Sequence, residues 1–188
     1  MEQIALILKA YRWLDQITPL QTDCGTLCDK ACCLSTEDVA TENFTQNSGM
    51  YLFPGEVSIQ SAAAYVSLHP VNIATTHGAY RSVLAVCNGS CPRHLRPLAC
   101  RIFPLTPYVD PDGEWLLRMD LRGRSLCPLV RQMQPDELEP DFIAAVWTVI
   151  NLLATDPEIR YFMTLLSRIQ DETAALFTRF GIQSSTQG

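Results

Sequence analysis

The chain has 188 residues, 47% of them hydrophobic and 18% charged, with a formal net charge of -6. That length and apolar content suit one compact domain, residues 1-188, with a core of its own. The acidic balance argues against a surface built to neutralise nucleic-acid phosphates, and no apolar run approaches the roughly 20 residues that span a bilayer.

In chain order, "MEQIALILKAYRWLDQ" carries Ile4, Leu6, Ile7, Ala10, Tyr11 and Leu14 at helical spacing and predicts an amphipathic helix. It lacks a basic region and a small-residue cleavage site, so it does not read as a signal peptide. "CGTLCDKACC" follows in a loop opened by Thr18-Pro19 and Thr22-Asp23. Cys24, Cys28 and Cys32 are spaced by four, which in a helix would stack them on one face. Ser35, with Asp38 three residues on, predicts a helix start.

"MYLFPGEVSIQSAAAYVSLHP" is divided between a strand at Met50 to Phe53 and a short helix ending before Pro70. "VNIATT" and "YRSVLAVC" are rich in β-branched residues and predict short strands. "CRIFPLTPYVDPDGEWLLRMDL" predicts a hairpin turning at "DPDG", between "TPYV" and "EWLLRMDL". From Pro135 to Gly181 the texture is helical, with Pro157 in a first turn, Gly181 as a stop and a frayed tail beyond. The class expected is α+β: a small domain with helices at both ends and short antiparallel strands around a cysteine-rich metal site.

The eight cysteines form three groups: Cys24, Cys28, Cys32 and Cys33; Cys87, Cys91 and Cys100; and Cys127. A chain expected to be cytoplasmic meets a reducing environment, where clustered cysteines favour metal binding or catalysis over cross-links. Thiolates repel one another and a cation offsets that cost, which is why four-cysteine sites bind zinc or hold iron-sulfur clusters. No Cys-x-x-Cys occurs, which disfavours thioredoxin-type exchange and zinc-ribbon knuckles. Cys24-x3-Cys28-x3-Cys32 is one residue longer than the radical SAM triad. The even cysteine count, with the sequons at Asn43 and Asn88, leaves a disulfide-stabilised secreted module as a lesser alternative.

"CGTLCDKACC", followed by "RPLACRIFP", resembles the YkgJ-like cysteine-cluster family, described as zinc- or iron-chelating domains of the CxxCxxCC type. Arg96, Pro97, Cys100, Arg101, Phe103 and Pro104 match its second motif, and the likeness covers roughly residues 24-128. Cys91 stands one residue closer to Arg96 than the family pattern expects, with no Tyr between them. The resemblance implies zinc or an iron-sulfur cluster bound through the cysteines, with no assigned reaction. A flagellin lysine N-methylase shares the cluster motif, so cluster-dependent lysine N-methylation is the enzymatic alternative, although no glycine-rich SAM loop is present.

The eight cysteines are therefore the candidate metal ligands. Arg96 and Arg101 are candidates to hydrogen-bond the thiolates and offset their charge. His94 is a lesser candidate ligand, and His69 and His77 are expected in loops. Asp136, Glu137, Glu139 and Asp141 suit a helix start. Tyr161, Phe162, Phe177 and Phe180 are expected in the core, with any exposed share available for a homodimer or another protein partner. No nucleic acid, membrane or hydrolase triad is expected.

Overall fold

The computed structural model describes residues 2–33, 49–76, 78–87 and 91–181. The first apolar stripe becomes α1 (Glu2–Trp13), which buries Ile7, Ala10 and Tyr11 and turns Leu8 and Trp13 outward. Next come β1 (Gly49–Tyr51), α2 (Val57–Gln60), β2 (Val66–Thr75) and β3 (Gly78–Cys87). β1 and β2 flank β3, both antiparallel to it, giving the order β1-β3-β2.

The ambiguous segment thus holds both a strand and a helix, and β2 runs through Pro70 rather than starting after it. Pro70 faces Val83 on a strand paired along one side only, and an edge strand tolerates the missing N–H. His69 consequently lies in a strand, not in a loop. The expected Ser35 cap, His77, both sequons and the tail beyond Gly181 lie outside the described residues.

α3 (Leu98–Ile102) follows, then the hairpin of β4 (Leu105–Val109) and β5 (Trp115–Met119). The hairpin forms where expected, but "CRI" ends α3 and is no part of it. The Asp110 carboxylate accepts the N–H groups of Asp112 and Glu114, both at 2.9 Å, and Gly113 at φ +90° closes the turn.

The C-terminal third is helical as expected: α4 (Pro128–Gln132), α5 (Pro140–Leu153) and α6 (Pro157–Arg179). Asp156 caps α6 by accepting the N–H groups of Glu158 and Ile159 at 3.0 and 2.9 Å. Gly181, at φ +67°, follows its end. α5 packs against α1, while α6 crosses β4 and reaches β2. Phe162 is fully buried and meets Phe53 edge-on at 5.1 Å, whereas Tyr161 and Phe180 face outward. Among the described residues no helix is long and apolar enough to cross a membrane.

α6 is also bolted to the turn that leads towards Cys127. The buried Asp120 carboxylate accepts Gln170 Nε2 at 2.8 Å and the Arg122 guanidinium at 2.9 and 2.5 Å, and Gln170 Oε1 accepts the Leu121 N–H at 3.0 Å. Burial alone would raise the Asp120 carboxyl, but the Arg122 charge and these bonds outweigh it and hold it below the ordinary carboxylate range. Asp120 therefore stays ionised in the folded chain where the unfolded chain begins to protonate it. Its stabilisation is full above the unfolded value and is lost as pH falls through the folded one. Asp120→Asn should lower stability at neutral pH by about 2–3 kcal/mol, and its deficit in denaturant titrations should shrink below about pH 4. A deficit that stays constant down to about pH 3 would contradict the ionised assignment.

Candidate metal site

The first cysteine loop is held by its own backbone. Asp23 Oδ1 accepts the Gly25 N–H at 3.2 Å and starts a 3-10 turn over Cys24–Thr26. The Cys28 thiol donates to the Cys24 carbonyl at 3.7 Å, as four-residue spacing allows. The helical path ends there, because Asp29 and Lys30 both adopt left-handed backbone, at φ 48° and 58°. The Lys30 N–H bonds back to the Gly25 carbonyl and the Ala31 N–H to the Cys28 carbonyl, each at 3.0 Å. A second 3-10 turn then covers Ala31–Cys33. The loop with short helical turns is thus as expected, and the reversal at Asp29 and Lys30 means that Cys24, Cys28 and Cys32 do not share one continuous helix face. The side chain of Cys33 lies outside the described residues.

The second motif is anchored from below by Glu56, a residue the sequence reading passed over. Glu56 is 0% exposed. Its Oε1 accepts the Leu98 N–H, the first donor of α3, at 2.5 Å and also the Tyr11 hydroxyl. Its Oε2 accepts the Phe53 N–H at 2.9 Å. One carboxylate therefore satisfies an otherwise orphaned N–H at the start of α3 and ties α3 to α1 and to the bend after β1. Gln60 extends the network, donating to Tyr11 Oη at 2.9 Å and to the Leu95 carbonyl at 3.0 Å. Tyr65 Oη lies 2.5 Å from that same carbonyl. Burial raises the Glu56 carboxyl against the opposing pull of its donors, and it raises the Tyr11 hydroxyl too. The available sequence signal was a lone acid in an apolar run, "LFPGEVSI".

The arginines of this region divide their work. Arg101 donates to the carbonyls of Arg96, Tyr11 and His94 at 2.8, 3.2 and 2.5 Å and lies 4.2 Å over the Tyr11 ring. Arg93 donates to the Asp15 carbonyl at 3.2 Å and to that of Ile17. Both satisfy carbonyls at the end of α1 or just past it, and so serve local structure. Arg96 instead pairs with Asp23 at 3.6 Å, joining the two cysteine motifs. Phe103 presses on Gly123, where a Cβ would stand 2.6 Å from its ring, so this glycine allows the Cys127 turn to approach α3. The Phe103–Pro104 peptide bond is cis.

These anchors gather the thiols. Cys24, Cys32, Cys87, Cys91 and Cys100 line one solvent-open cleft of about 760 Å³, with Lys30, Arg96 and Phe103. They come from four places: the first loop, the end of β3, the segment after it and α3. Cys28, bonded to the Cys24 carbonyl, and Cys127 are not among the residues that line the cleft. Burial raises the Cys24 thiol to about 11, with Asp23, Cys127 and Cys28 adding to the rise and Arg96 opposing it. Burial also raises Cys127, again with Cys28 adding to it. Cys87 and Cys91 act together on another group, the Tyr65 hydroxyl, which burial first raises. His94 sits in a 3-10 turn, where its carbonyl accepts Arg101.

As a donor set, clustered thiols with neighbouring cations fit a thiophilic metal such as zinc or iron. The described side chains do not yet close on a point: among them, no three of His, Cys, Asp or Glu form a group that could hold an ion. No disulfide joins Cys24, Cys28, Cys32, Cys87, Cys91, Cys100 or Cys127. Comparison of the chain with protein-family models, curated proteins and solved structures found no match.

The Glu56 assignment predicts a graded response. Glu56→Gln keeps an acceptor oxygen but sets an amide against a donor, and should cost about 1–3 kcal/mol; Glu56→Ala, which leaves every donor unanswered, should cost more. Hydrogen exchange at the Leu98 amide should accelerate in both. An unchanged Leu98 amide in the alanine variant would show that Glu56 is not its acceptor.

Proposed function

We propose that this chain is a cytoplasmic metal-binding protein that holds zinc or an iron-sulfur cluster through cysteine thiolates. The observation that carries the reading is the convergence of five cysteines, from four parts of the chain, on one cleft. Protonated thiols standing together have little mutual attraction, while a metal ion that replaces their protons binds them strongly. The motif resemblance points the same way, since its two halves are the segments that meet here.

Arg96 performs two tasks in this reading. It lowers the cost of negative charge at Cys24, against burial and Asp23, and its pairing with Asp23 keeps the first loop beside α3. Lys30, exposed by the left-handed turn, adds a second cation to the cleft wall. Bound metal would supply the cross-links between loops that the backbone alone does not make.

Protein purified anaerobically without chelator should carry zinc, or iron with sulfide and broad visible absorption, at one or more equivalents per chain. A chelator should then speed hydrogen exchange around Cys24–Cys33 and in the segment from Cys87 to Cys100, while α5 and α6 stay protected. Metal-free protein that is fully folded, with all thiols reactive and no uptake of added zinc or iron, would refute the reading.

A further inference from the structure

The cleft of about 760 Å³ has the size of a small-molecule site, and its surfaces are chemically sorted. The floor is one face of the three-stranded sheet. Ala85 and Cys87 alternate along β3, Met50 stands opposite Ala85 and Val66 opposite Cys87, and all four line the cleft. Pro97 and Phe103, at the two ends of α3, continue this apolar surface. Charge is confined to the other side, with Asp23 and Lys30 in the first loop and Arg96 paired to that loop through Asp23. Two cations thus stand against one carboxylate, in a chain whose net charge is -6. The Arg96–Asp23 contact, at 3.6 Å, is longer than a direct hydrogen bond and leaves 22% of the Arg96 side chain exposed. Among the described residues no ion pair engages Lys30. Met50 and the five cysteines also give the cleft polarizable sulfur, which contacts aromatic rings favourably and hydrogen-bonds weakly.

We propose, beyond the metal-binding reading and without depending on it, that the cleft binds a small aromatic carboxylate, its ring on the sheet floor beside Phe103 and its carboxylate at the rim with Lys30 and Arg96. Burial of the ring against the floor supplies affinity, and the two cations fix which end of the ligand faces the loop. This role asks of the thiols only that they form soft walls, so they need not focus on one point.

The test is titration of the full chain, reduced and freed of metal, with β-naphthoate, followed by naphthyl fluorescence and by amide NMR shifts. One equivalent should bind saturably, with the shifts centred on Met50, Val66, Ala85 and Cys87. Lys30→Gln removes an exposed charge and should weaken binding about fivefold. The neutral alcohol analogue of β-naphthoate, which keeps the ring and loses the charge, should bind more weakly than the anion. Val66→Trp, on a strand at the sheet margin, should fill the floor and abolish binding, with circular dichroism confirming that the variant folds. Equal affinity for the alcohol, shifts away from the cleft, or no saturable binding by the folded wild-type chain would overturn the proposal. Repeating the titration with zinc added separates the two readings. Zinc uptake without naphthoate binding in either state sinks this inference alone, whereas naphthoate binding by a chain that takes up neither zinc nor iron sinks only the metal-binding reading.

Discussion

A buried carboxyl group with no basic partner at bonding distance among the described residues holds the middle of this protein together. Glu56 survives burial because three donors converge on it, two from the backbone and one from Tyr11. Each donor belongs to a different element, so one side chain fixes the start of α3, the bend after β1 and the last turn of α1. Arg101 strengthens the same junction by donating to the Tyr11 carbonyl that α1 leaves open. Cys100 therefore rides on a short helix whose position is set by groups outside that helix.

The opposite flank has its own anchor. Asp120 and Gln170 fix the turn before Cys127 to α6, and Gly123 lets that turn slide under Phe103. The long helices thus hold one cysteine segment and the Glu56 junction another, while the first loop stays tied by Arg96 and Asp23 and by its own hydrogen bonds. Rigid framework surrounds the thiols, and the thiols themselves sit on turns and element ends, where a functional group can be set against a stable background.

The parts legible in the sequence were those governed by local chemistry. Pro157 announces α6 and Gly181 follows its end, because such starts and stops act within a turn. The "DPDG" turn was legible for the same reason. Glu56 was not, since two of its three partners lie 42 and 45 residues away. The loop that carries the first cysteines was legible too, but its reversal was not, since two left-handed residues that are neither glycine nor asparagine make it. Pro70 misled in another way: it breaks a helix or a central strand, but its position at the sheet margin makes it harmless. The cysteine groups could be read in the sequence, whereas which of them share a cleft depends on the fold.

The margins of the three-stranded sheet bear on how this protein meets other chains. β1, on one side, offers only three residues, and β2, on the other, contains a proline that presents no N–H to an incoming strand. Neither margin is a good template for backbone pairing, which guards the sheet against edge-to-edge aggregation. Extension of this sheet by another strand is thereby disfavoured at both margins.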